Sequence, residues 1–93
     1  MTRVHEDLSR LRNLGAVSAR WLRAVGVDRK EELLRRGAAR VYCQVRSVGF
    51  PATRNLLWAL QGAILDIPWN DLPGSVRDQL LRDVAALESD ENR

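Results

Sequence analysis

The sequence is poor in the residues that most often do chemistry. It has one histidine, His5, and one cysteine, Cys43. A lone cysteine excludes an internal disulfide and fits a reducing compartment. One cysteine and one histidine cannot assemble the usual four-ligand zinc site. No glycine-rich phosphate loop is present. No apolar run approaches the roughly 18 residues that cross a bilayer. Met1–Asp7 carries charge where a signal peptide needs an apolar segment, so a cytoplasmic location with no membrane association is expected. No stretch alternates apolar and polar residues long enough to read as a sheet, and internal repeats and low-complexity segments are missing too.

These absences leave little room for catalysis. His5 sits near a terminus beside Glu6 and Asp7 and reads as solvated. Cys43 would need a stabilised thiolate to act as a nucleophile or redox sensor, and only Arg40 and Arg46, at helical neighbour spacing, offer one. Asp66 and Asp71 flank a loop, but a carboxylate pair alone is not a site. The chain therefore reads as non-enzymatic, with no cofactor, no metal and no small-molecule substrate. Trp21, Trp58 and Trp69 fit either a binding platform or core anchors, and small cores favour the second.

What is present is one domain's worth of helix. The chain has 93 residues, 45% hydrophobic and 29% charged, which is a globular balance. A chain this short buries about two thirds of its unfolded surface, so each large apolar residue counts. Helical spacing predicts about six short helices in one compact all-α domain, with a core over about 4–87 and a frayed tail at 88–93. The expected helices cover about 3–12, 16–25, 29–36, 38–48, 53–65 and 74–87. Asp28 and Glu31 have capping-box spacing before the third. Leu33 and Leu34 are expected inward there, as are Val17 on the second helix and Val48 on the fourth. The fourth would leave Cys43 on an accessible face. Leu56–Leu60 and Ala63–Leu65 make the fifth apolar nearly all round, so it should be central. Gly62 within it suggests the close approach of another helix.

Charge divides the chain. Residues 1–54 hold twelve basic and five acidic residues, a net of +7, and residues 55–93 hold three and seven, a net of −4. Lys30 is the single lysine, so the basic groups are arginines, whose forked donors suit phosphate and carboxylate. Such a half suits nucleic acid, an acidic partner or the acidic half of a second copy. It is also what solvated arginine-rich faces look like.

A series of local phrases carries a family resemblance. Asn13-Leu14-Gly15, Ser18, Trp21-Leu22 and Val25-Gly26-Val27 lead to Leu33, Gly37-Ala38, Val41-Tyr42 and Gly49. Asn55-Leu56-Leu57-Trp58-Ala59-Leu60-Gln61-Gly62-Ala63 follows, then Trp69 and Leu72-Pro73. From about residue 11 to residue 81 the chain resembles the C-terminal domain of the TfoX/Sxy family of bacterial competence regulators. The better-known members carry an additional N-terminal α/β domain, and this sequence reads as the C-terminal domain standing alone. The resemblance implies a regulatory interaction module whose partner is DNA or a DNA-binding transcription activator. A pure protein–protein or self-associating module, as a homodimer, is the alternative.

Residues about 4–36 also resemble a helix-hairpin-helix unit, in which a Gly-hydrophobic-Gly turn offers backbone N–H groups to a DNA phosphate. Here the turn is Asn13-Leu14-Gly15, with Asn13 replacing the first glycine; asparagine also tolerates a left-handed backbone. The candidate phosphate-binding residues are Arg12, Asn13, Leu14, Gly15, Ala16, Arg20 and Arg23. The alternative is a structural hairpin in which Gly15 permits tight helix packing.

Overall fold

The computed structural model describes Leu8 and residues 11–91. Most of the helix expected at 3–12 lies outside these residues. Leu8 and Leu11 are buried, and successive turns bond the N–H of Leu11 to the Leu8 carbonyl and that of Leu14 to the Leu11 carbonyl, each at 3.1 Å. Five helices follow: α1 (Ala16–Ala24), α2 (Lys30–Arg36), α3 (Ala38–Ser47), α4 (Arg54–Leu65) and α5 (Gly74–Glu91). A single 3-10 turn, Trp69–Asp71, lies between α4 and α5. No strand occurs among the described residues.

One device closes three of these helices. After α1, Gly26 takes φ 87°, its N–H bonds the Arg23 carbonyl, and the N–H of Val27 reaches back to Leu22 at 2.9 Å. After α3, Gly49 at φ 103° bonds Arg46, and Phe50 bonds Val45 at 3.4 Å. After α4 the left-handed residue is Asp66, φ 59°, with Ile67 bonding Gly62 at 2.9 Å. Asp66 also bonds the Ala63 carbonyl at 3.3 Å, so each helix end has a pair of bonds that satisfies carbonyls it would leave orphaned, and an apolar residue follows each time.

α3 and α4 form the centre. α3 packs against α5 and α4 and also touches α1 and α2. α4 buries Leu56, Leu57, Trp58, Ala59, Leu60, Gly62 and Ala63, as its all-round apolar pattern predicts. Trp58 is 8% exposed and Leu60 fully buried.

The structure corrects several local expectations. Cys43 is buried, 4% exposed, because α5 covers the side of α3 on which it stands; its thiol lies 4.0 Å from the Val84 carbonyl. Asp28 does not cap α2. The helix starts at Lys30 with Arg29 in the cap position and no side-chain cap, while Asp28 lies 3.7 Å from the Arg29 guanidinium. Leu34, Val17 and Val48 are exposed. α2 buries only Leu33, Val17 lies in the first turn of α1, and Val48 lies where the chain turns out of α3. The last helix continues past 87 to Glu91.

A candidate nucleic-acid interface at the Asn13–Gly15 turn

The turn before α1 is built by three residues with three different tasks. Asn13 takes the left-handed conformation, φ 74°, which its short polar side chain tolerates. Its side chain then spans the molecule. Nδ2 donates to the Ile67 carbonyl at 2.9 Å, and Oδ1 accepts from the Trp69 N–H at 3.1 Å. Both ends of the amide are thus spent on the connection between α4 and α5. Leu14 is buried in the core.

Gly62 makes room for this clasp. A Cβ there would meet the Asn13 side-chain nitrogen, the Ile67 carbonyl oxygen at 2.8 Å and Trp69 Cα at 3.3 Å. The close approach expected at Gly62 is real, but it comes from Asn13 and the connecting segment rather than from a helix.

Gly15 differs. Its φ of −111° and ψ of −170° are open to any residue, and a Cβ would find nothing within 4 Å. Neither backbone conformation nor packing requires glycine, so tight helix packing does not account for it. It stands at the N-cap of α1, where no side chain caps the helix. Ala16 is exposed beside it, and Arg20 and Arg23 are exposed further along α1. Arg12 is drawn the other way, its Nε 3.3 Å from Asp66 Oδ1 in a solvent-exposed pair. The candidate set therefore divides. Arg12 and Asn13 face the α4–α5 connection and Leu14 faces the core, while Gly15, Ala16, Arg20 and Arg23 remain on the surface.

Residues 4–84 match the family described as the TfoX C-terminal domain. The chain belongs to that family. It is also similar to a crystal structure described as an uncharacterized protein from Listeria monocytogenes, with 26% identity and a TM-score of 0.80 over 89% of this chain and 94% of that one. A comparison with curated proteins gives no significant match. Among the described residues no helix of this TfoX C-terminal domain is long and apolar enough to cross a membrane.

Two further constellations escaped the sequence reading. The first ties α1, α2 and α3. Arg36 Nη1 donates to the Val25 carbonyl at 2.8 Å and to Gln44 Oε1 at 2.9 Å, Nη2 donates to the Gly26 carbonyl at 3.3 Å, and Nε meets Glu32 at 2.6 Å. A guanidinium at the end of α1 also complements the partial negative charge of that terminus. Glu32 pairs with Arg35 as well. Hydrogen bonds from Arg35, then Arg36, pull the Glu32 carboxyl down to about 2. The second is Arg77. Its guanidinium carbon lies 5.3 Å from the Trp58 ring centre and 6.0 Å from that of Trp69, and Nη2 donates to the Trp69 carbonyl at 3.1 Å. Only the i, i+4 spacing of Glu32 and Arg36 was visible in the sequence.

Proposed function

We propose that this TfoX C-terminal domain is a non-enzymatic, cytoplasmic module of transcription regulation that holds DNA by its phosphate backbone. The observation that carries the reading is Gly15. A glycine that neither φ nor packing requires, at an uncapped helix start, keeps the first backbone N–H groups of α1 open to an anion. Arg20 and Arg23, exposed on the same helix, add charge. Neither element reads a base edge, so affinity varies little among duplex sequences. The test is duplex binding across a salt series by the wild type and by Arg20→Gln/Arg23→Gln. Binding at low salt, weakened in the double variant with a shallower salt slope, supports it. No wild-type binding at low salt, or identical behaviour of the variant, rejects it.

A second reading is favoured by a different surface. Between the start of α3 and α5 lies an open groove of about 610 Å³ lined in part by Ala38, Ala39, Val76, Leu80 and Leu87. Apolar grooves of this kind take a partner's side chains or helix. In this reading the domain binds a transcription activator or a second copy, and sedimentation at rising concentration separates those two cases.

A further inference from the structure

A second cavity, of about 300 Å³, lies beside the Asn13 clasp. Trp21, Trp69 and the buried Leu56 and Ala59 are among the residues that line it. Ser18, Thr53 and Asn55 supply polar groups at its edge. The volume is at the small end of ligand pockets, enough for a single ring system.

Both tryptophans are held in place by neighbouring groups, among them Asn13, which also lines the cavity. Trp21 stacks on Phe50, ring centres 5.4 Å apart and planes 15° from parallel. Trp69 is fixed through its backbone by Asn13 and Arg77, and its ring stands near the Arg77 guanidinium. Yet Trp69 remains 40% exposed, unlike Trp58 in the core. A large aromatic braced on one side and left open on the other is a poor core residue and a good stacking surface. The side chains of Ser18, Thr53 and Asn55 make no hydrogen bond to any described residue. They offer two hydroxyls and one amide, a mixture of donors and acceptors with no net charge. That set suits the edge of a neutral planar heterocycle. Arg20 precedes Trp21 on α1 and is exposed, outside the lining of the cavity.

We propose that this cavity receives an unpaired base of single-stranded nucleic acid. The base stacks on Trp69, its edge meets Ser18, Thr53 and Asn55, and the adjoining phosphates reach Arg20. A base inside a duplex is stacked and paired and cannot enter. The cavity thus adds a preference for single strands that phosphate contact alone lacks. The inference rests on the nucleic-acid reading above and shares Arg20 with it, but Trp69 and Asn55 belong to the cavity alone, so their variants let the two readings fail separately.

The experiment compares a short oligothymidylate, a duplex of equal length and free thymidine monophosphate at one salt concentration. Tryptophan fluorescence and the anisotropy of labelled oligonucleotides report binding to the wild type, Trp69→Leu and Asn55→Ala. Asn55 is exposed and its side chain makes no hydrogen bond to any described residue, so its variant tests the pocket without disturbing the fold. The expected result is a strand bound more tightly than the duplex, with tryptophan quenching. Trp69→Leu should weaken the strand by about tenfold or more, the scale of one lost stacking contact, and Asn55→Ala by less. A duplex bound as tightly as the strand overturns the proposal. So does strand binding that both variants leave unchanged, or free nucleotide bound as tightly as the strand. Duplex binding lost in Arg20→Gln/Arg23→Gln but indifferent to Trp69→Leu would keep the phosphate reading and remove this one. Strand binding with no duplex binding would do the reverse.

Discussion

Two polar ties lock this domain, and they work by different physics. The Asn13 amide joins the start of the described chain to the α4–α5 connection with two neutral hydrogen bonds. The Arg36 guanidinium joins α1, α2 and α3 with charged ones, and Glu32 and Gln44 share the load. The first spans 54 to 56 residues of sequence and the second no more than 11. A neutral tie responds to neither pH nor salt, whereas a charged one responds to both. The exposed ion pair Arg12–Asp66 spans the same 54 residues as the Asn13–Ile67 bond, so of the contacts that close this end of the fold the neutral amide is the one that pH and salt disturb least.

The core sets the scale against which either tie is measured. Trp58→Ala should cost about 3–5 kcal/mol by chemical denaturation, since it empties the centre of α4 and removes the ring beside Arg77. Asn13→Ala should come next, at about 2–3 kcal/mol. It removes two hydrogen bonds of about 1 kcal/mol each and forces an alanine into a left-handed conformation. Asn13→Gly keeps the conformation and should recover part of that loss. If both variants are as stable as the wild type, the clasp is decoration.

The charged tie should show itself on a pH axis. Glu32 is held at about 2 against an ordinary 4.5, by hydrogen bonds from Arg35 and Arg36. A carboxyl depressed in the folded state contributes stability that is whole above about 4.5. That contribution is lost as pH falls through about 2. Glu32→Gln should therefore be less stable than the wild type at neutral pH, with the gap closing between those values. The deficit of Asn13→Ala should stay constant over the same range. Urea midpoints of the two variants, followed from neutral to acid, test the distinction. Parallel curves for both would show that the ties do not differ in kind.

The sequence made some of this visible. α4 is plain in the run Leu56–Leu65 because an all-round apolar helix has only one place to go. Gly26 and Gly49 mark helix ends because left-handed positions favour glycine. Asp66 fills the same role and carries no such mark. The left-handed tolerance of Asn13 was readable from its type, but its partners were not, since nothing local connects position 13 to positions 67 and 69. Cys43 was misplaced for a related reason. A helix packed on two sides, as α3 is by α4 and α5, buries residues that a one-sided pattern assigns to solvent. The tryptophans look alike in sequence, yet burial separates them, with Trp58 in the core and Trp69 at the surface. Of the candidate phosphate site, the residue types were legible in the sequence. It did not separate Gly15, which the fold does not require, from Asn13, which it does.

That separation yields the smallest effect and the sharpest test of the functional reading. Gly15 lies two residues from the clasp, in the same turn, yet a side chain there meets open space at an ordinary φ. Aspartate at this position is a preferred N-cap. Its carboxylate can accept hydrogen bonds from the N–H groups that α1 leaves free, and its charge suits the helix start. Gly15→Asp should therefore raise stability, by about 0.5 kcal/mol, with part of the gain coming from a less flexible unfolded chain. The same carboxylate occupies the donors that a phosphate would use and repels the phosphate itself. Duplex binding should fall while the melting temperature rises. Most variants that lose binding through damage lose stability with it, so opposite signs identify a site rather than a lesion. Gly15→Ala is the control: it fits the same space, adds no acceptor, and should leave binding much closer to that of the wild type. A stabilised Gly15→Asp that binds duplex unchanged would clear the helix start of any role and shift attention to the groove between α3 and α5.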